Sequence, residues 1–200
     1  LWANRELRLG ARLVLLTRSP EAFRARIPHV VNAPSVELLV GDMASFAFPK
    51  GVFPFVVHAA TARPLPPARP KPLETFDQDT SGTRRILEFA RTHGARRLLL
   101  TSSGAVYGTA PQGVKLTEEY AGAPDTCDSR SAYGQGKRVS EWLSAAYSRQ
   151  FGFDVTIARL FAFMGPLLPL HAHYAFGNFL RDVLNGGPVC IDGDGTPMRT

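Results

Sequence analysis

The stretch Leu98-Leu99-Leu100-Thr101-Ser102-Ser103-Gly104-Ala105-Val106-Tyr107-Gly108 decides how this 200-residue chain is read. An apolar run that ends in hydroxyls predicts a buried strand delivering Ser102 and Ser103 to the carboxyl edge of a parallel sheet, where open α/β sheets bind their ligands. Downstream, Tyr133-Gly134-Gln135-Gly136-Lys137 spaces a phenol and an ammonium i, i+4, on one face of a helix. An ammonium beside a phenol, whose ordinary pKa is near ~10, favours the phenolate. A serine hydroxyl can orient the same substrate oxygen, which completes a general base with its activator and a hydrogen-bonding partner.

Outward from this stretch, apolar runs and helical patterns alternate. Arg12 to Thr17, Val36 to Val40, Phe55 to His58, Arg97 to Thr101 and Asp154 to Arg159 read as short buried strands. Leu73 to His93, Ser131 to Phe151 and Tyr174 to Asn185 read as helices, and Ser19-Pro20-Glu21 as the capped start of a short one. Leu1 to Leu9 reads as the tail of a helix closed by Gly10, and Val189 to Ile191 as a last short strand. Prolines 64, 66, 67, 70 and 72 mark an exposed loop. The alternation predicts an α/β fold with a doubly wound parallel sheet. A dinucleotide-binding domain is expected over residues 1–160, and part of a smaller substrate subdomain over 161–200, where the rhythm loosens.

A hydrophobic content of 44% with 20% charged residues is that of an ordinary globular chain. No apolar run approaches the ~20 residues of a spanning helix, and the opening residues, broken by Arg5, Glu6 and Arg8, do not read as a secretory signal. Cys127 and Cys190 form no metal or redox motif, so a reduced, cytoplasmic compartment is expected. The net charge of +6 comes from scattered arginines. That pattern argues for a solvated basic surface that steers an anionic nucleotide rather than for a nucleic-acid site. His58 reads as a buried structural histidine; His171 and His173 lack a third ligand, and no metal is expected.

Taken together, Gly41-Asp42-Met43, His58-Ala59-Ala60, Thr101 to Gly108, Tyr133-xxx-Lys137, Arg159-Leu160-Phe161 running to Gly165-Pro166, and Ile191-Asp192-Gly193-Asp194-Gly195 resemble the extended short-chain dehydrogenases/reductases. The resemblance is to their NAD-dependent nucleotide-sugar epimerase/dehydratase branch. It implies a Rossmann-like sheet, a homodimer that packs two helices per subunit (here 73–93 and 131–151), and hydride transfer at a sugar carbon. It implies that Ser103 is the catalytic hydroxyl, Tyr133 the base, and Lys137 its activator and a nicotinamide-ribose contact. Asp42 and Met43 would meet the adenine, and Ala59, Ala60, Thr61 and Thr101 would line the dinucleotide. Tyr107, Asn178 and Phe179 would touch the nucleotide sugar.

There are departures from the family pattern. The family's opening strand and Gly-rich phosphate turn are not among these residues, so a first strand is expected to be missing from the sheet, and an inactive isolated piece is one of the readings. Gly104 and Ala105 stand where sugar 4,6-dehydratases carry an Asp-Glu pair, and Asp79 where asparagine is common. Thr17-Arg18 replaces the acid that reads a ribose 2′-hydroxyl, so Arg18 is a cofactor-facing candidate and NADP stays open beside NAD. Two other readings use the same residues: an NADP-dependent carbonyl reductase, and a non-catalytic dinucleotide- or RNA-binding relative.

Overall fold

A computed structural model describes residues 1–61, 71–111, 113–162, 164–165, 170 and 175–191. Five strands form: β1 (Leu13–Thr17), β2 (Val36–Val40), β3 (Phe55–His58), β4 (Arg97–Ser103) and β5 (Asp154–Leu160). All pairings are parallel. The strands fall into two sheets, β1-β2 and β3-β4-β5, where the sequence suggested one. No described strand joins them, so β1 and β3 each keep one unpaired edge.

The long helices α4 (Pro72–Thr92) and α5 (Ala132–Phe151) pack on each other and cover one face of the three-stranded sheet. Side chains of a strand alternate between faces, which explains the pattern along β4. Leu98, Leu100 and Ser102 are buried towards the helices, while Thr101 and Ser103 are half-buried on the other side. The same alternation in β3 buries His58 and leaves Phe55 and Val57 exposed. Ile86, Leu87, Phe89 and Ala90 of α4 and Leu143 and Tyr147 of α5 complete the core with Leu98 and Leu100.

Pro72, read as the last proline of a loop, is instead the first-turn residue of α4, where a missing N–H is harmless. Ser19 caps α2 (Pro20–Arg26) by accepting from the Ala22 amide, as its sequence suggests. A short α3 (Pro28–Val31) follows it.

Two elements differ from the sequence reading. The first helix, α1 (Trp2–Glu6), ends at Leu7 rather than running on to Gly10. Nothing in it is buried, so no packed face supports further turns. Residues 189–191 form no strand: among the described residues no partner pairs with them, and the Cys190 amide donates to Asp182 on α6 (Ala175–Leu184). Prolines 64, 66, 67 and 70, His171, His173, Pro166 and Asp192 to Gly195 lie outside the described residues.

Candidate functional site

The carboxyl end of β4 and the first turns of α5 meet at one rim of the three-stranded sheet. Ser103 ends β4, and its Oγ accepts from the Ala105 amide at 3.2 Å, turning the chain into the short 3-10 helix Gly104–Tyr107. Helix α5 docks onto that turn through Gly134: a Cβ there would lie only 2.7 Å from the Ala105 carbonyl oxygen. The glycine next to Tyr133 therefore touches the residue that Ser103 caps, and the backbones carrying the hydroxyl and the phenol are in contact.

One turn on, Lys137 is 3% exposed, and its Nζ donates to the Thr101 carbonyl at 3.1 Å. The same Nζ lies 5.8 Å from the centre of the half-buried Tyr133 ring, within cation–π range. Burial lowers the proton affinity of Lys137, and the Asp79 carboxylate partly restores it. The structure thus joins Tyr133, Lys137, Thr101 and the Ser103 turn at one rim, as the i, i+4 spacing and the strand-end hydroxyls suggested.

Beneath the rim lies a buried polar chain that sequence reading missed. His58 Nε2 meets Thr83 Oγ1 at 2.9 Å, and Thr83 Oγ1 meets Ser140 Oγ at 2.9 Å. Ser140 Oγ in turn donates to the Gly136 carbonyl at 2.9 Å. His58 is structural here. Burial first, and then the Lys137 charge, push its pKa down to about 4, so the ring is neutral at physiological pH. The available signal was helical: Thr83 follows Asp79 by four residues and Ser140 follows Gly136 by four, so each pair of small or polar residues shares one helix face.

Extending the Tyr133–Lys137 spacing by another four residues reaches Glu141, a second residue missed. Its carboxylate accepts from Ser102 Oγ and makes a two-pronged ion pair with Arg159 of β5, 2.8 Å at the closer prong. Arg159 also donates to Tyr107 Oη at 3.0 Å and to the Glu118 carbonyl at 2.9 Å. This network ties β4, β5, α5 and the loop around 118 together and assigns Ser102 a structural role. A cavity of about 440 Å³ borders it, lined by Gln135, Arg138, Val139, Glu141, Trp142 and Arg159. None of Ser103, Tyr133 and Lys137 lines that cavity, so it is not the site described here.

The remaining candidates are spread along the strand ends. Asp42 follows β2, accepts from the Ala44 amide at 2.9 Å, and lies 3.9 Å from the guanidinium of Arg18, which follows β1. Met43 is buried against Gly82 of α4, which makes it a core side chain in this structure. Ala59, Ala60 and Thr61 leave β3 exposed, and Thr61 Oγ1 reaches Asp79 at 3.5 Å. Thr101 Oγ1 donates to the His58 carbonyl at 3.2 Å. Tyr107 is buried and stacks on Phe161, with ring centres 6.1 Å apart. Asn178 and Phe179 are half-buried on α6, where Asn178 Oδ1 accepts from Arg181 of the same helix. No described contact brings either of them to Tyr133. Among the described residues, no three His, Cys, Asp or Glu side chains form a metal-binding group, and no helix is long and apolar enough to cross a membrane.

Known proteins resemble this chain in sequence and in fold. The chain is 34% identical over 144 residues to UDP-glucuronic acid decarboxylase 1 of Xenopus tropicalis, covering 72% of this chain and 34% of that protein. It is 36% identical over 197 residues to UDP-glucuronic acid decarboxylase 1 of Arabidopsis thaliana, covering 96% and 43%. The chain therefore spans between a third and a half of the length of these relatives. Its fold superposes on that of a UDP-glucuronic acid 4-epimerase from Bacillus cereus, solved with UDP-glucuronic acid and NAD, with a TM-score of 0.76. That likeness covers 97% of this chain and 62% of the other at 20% identity. The sequence profile of the NAD dependent epimerase/dehydratase family matches residues 3–200, and the chain belongs to that family.

Proposed function

We propose that the protein of which these residues are part oxidises and re-reduces a hydroxyl-bearing carbon of a nucleotide sugar, with NAD as the hydride carrier. The observation that carries this reading is the meeting of Tyr133, Lys137 and the Ser103 turn at the carboxyl rim of the sheet. In this reading Tyr133 accepts the hydroxyl proton, the Lys137 ammonium stabilises the charge that develops on the phenol oxygen, and the Ser103 hydroxyl holds the substrate oxygen.

The donor set fits a dinucleotide in part. Asp42 and Arg18 stand at adjacent strand ends for the adenosine half, with Met43 next to Asp42 in the chain. The exposed, small Ala59, Ala60 and Thr61 leave room for backbone contact, and Thr101 and Lys137 stand nearest the reacting end. NAD supplies a reversible hydride acceptor there. The exposed Arg18 would equally meet a 2′-phosphate, so an NADP preference is a measurable alternative. Tyr107, and Asn178 with Phe179 in the substrate subdomain proposed for residues 161–200, are assigned to the sugar nucleotide.

The turn after Ser103 narrows the chemistry. A Cβ on Gly104 would lie 2.5 Å from Cε1 of Phe161, so the Phe161 ring occupies the space that a side chain at 104 would need. Position 105 is alanine. The turn thus offers no carboxyl group for removing water. What remains is chemistry set up by the ketone itself: reduction from the opposite face, which inverts the centre, or loss of carbon dioxide when the neighbouring carbon carries a carboxylate. The second outcome agrees with the decarboxylases among the relatives. A UDP-hexuronate is therefore the substrate we favour. A cytoplasmic location and a homodimer built on α4 and α5 belong to the same reading; the unpaired, exposed Cys127 and Cys190 and the exposed Trp142 on α5 support them.

The test is product analysis. The full-length protein is incubated with NAD and, separately, UDP-glucuronate, UDP-glucose and dTDP-glucose, and the products are resolved by chromatography and mass. A pentose nucleotide or a 4-epimer from UDP-glucuronate supports the reading. A 4-keto-6-deoxy sugar from dTDP-glucose defeats the exclusion of dehydration, and net consumption of NADPH with a carbonyl substrate replaces the reading with a reductase.

A further inference from the structure

We propose that Asp79 is a positioning residue for this site: its buried carboxylate, carried on α4, holds the Lys137 side chain in its charged pose against Thr101. The inference rests on the reading of Lys137 as the partner of Tyr133. A buried ammonium is unfavourable unless an anion or several acceptors surround it. Lys137 is 3% exposed and Asp79 2% exposed, so solvent stabilises neither.

Among the described residues, the groups around Lys137 leave one source of negative charge within the buried layer besides Glu141, which is paired with Arg159. From β4 it meets the Thr101 carbonyl, which carries no net charge. His58 on β3 is neutral, its proton affinity depressed by burial and by Lys137 itself. On its own helix Tyr133 lies one turn before it, and Glu141, one turn after, is engaged by Arg159 and Ser102. From α4 comes Asp79, whose field raises the proton affinity of Lys137 against the effect of burial.

The backbone is shaped for this approach. Gly136 precedes Lys137, and a Cβ there would stand 3.2 Å from Asp79 Cβ and 3.5 Å from its Oδ2. The carboxylate thus lies against α5 at the residue before the lysine, where position 136 has no side chain to hold it off. Ser140 Oγ contacts the Asp79 carbonyl at 3.4 Å, and Thr61 Oγ1 contacts Oδ1 at 3.5 Å. These contacts also tie Asp79 to the exposed segment after β3. The usual asparagine would match Asp79 in shape but carry no charge.

The experiment reads the lysine directly. Carbon-13 labelling at lysine Cε followed by NMR titration of the full-length protein follows each lysine, Lys50, Lys71, Lys115 and Lys137 among them. The Lys137 signal is the one lost in Lys137→Met. Asp79→Asn is expected to lower the Lys137 titration midpoint by about one unit, a tenfold loss in proton affinity, and to move the pH profile of turnover. Gly136→Ala removes the close approach and favours the helix, so it serves if Asp79→Asn does not fold; it should shift the midpoint the same way. An unchanged Lys137 midpoint in a folded variant overturns the proposal. Because the titration needs no substrate, failure of the nucleotide-sugar reading would show in turnover and leave this result intact.

Discussion

The layer between the three-stranded sheet and helices α4 and α5 has two ends of opposite character. At the amino ends of the strands it is apolar: Phe46, Phe48, Phe53 and Phe89 meet edge-on or tilted at 5.1–5.8 Å between ring centres, over Leu87 and Leu98. At the carboxyl ends, a few turns away in the same layer, it is polar: His58, Asp79, Thr83, Lys137, Ser140 and Ser144 are all buried. His58 Nδ1 and Ser144 Oγ have no hydrogen-bond partner there. Apolar packing stabilises in proportion to the area buried, whereas buried polar groups at best recover their lost hydration. One end therefore anchors the fold, and the other holds buried charge at the proposed site, at a local cost in stability.

Substitutions that separate the two ends sharpen this contrast. Tyr133→Phe should lower kcat by roughly 10²–10⁴-fold while leaving the urea-unfolding midpoint nearly unchanged; a variant that keeps its turnover removes the catalytic assignment. Phe89→Ala, at the anchoring end, should destabilise by about 3–5 kcal/mol in urea titration, with KM per folded molecule preserved.

The polar end should respond to acid. The folded-state pKa of His58 is about 4 against an ordinary 6.5, so the unfolded chain takes up the proton first as pH falls. His58 thus leaves stability intact above about 6.5 and erodes it progressively towards 4, by on the order of 3 kcal/mol in total. Stability measured by denaturation at stepped pH should show that slope, and His58→Gln should flatten it.

Thr83→Val breaks the same chain at its middle and leaves His58 Nε2 and Ser140 Oγ without their shared partner. We expect a loss of about 1–3 kcal/mol. The smallest effect belongs to neither end: breaking the exposed Lys71–Glu74 pair with Lys71→Met should change stability by only about 0.3–0.5 kcal/mol.

Much of this arrangement was legible from local pattern. The strand ending in Thr101-Ser102-Ser103 and the helix carrying Tyr133 and Lys137 both form, because a continuous apolar run and an i, i+4 face are local properties of a sequence. Val189 to Ile191 is the counterexample. Three residues of strand character become a strand only with a partner, and pairing is a long-range property. The helix expected over residues 1–9 shortened for a related reason, since none of its residues is buried. Met43 shows what a local pattern leaves out: the resemblance sets it beside adenine, and the structure adds that its side chain packs on Gly82 of α4.

The sequence alone determined the element types, the parallel α/β class and the residues able to carry proton transfer, because periodicity and side-chain chemistry are written residue by residue. Only the tertiary structure decided what surrounds them. Gly134 seats on Ala105, Phe161 fills the space above Gly104, and Gly136 lets Asp79 lie beside Lys137. Each of these is a contact between segments far apart in the chain or a missing atom at their meeting point, and no local pattern encodes which segment will arrive there.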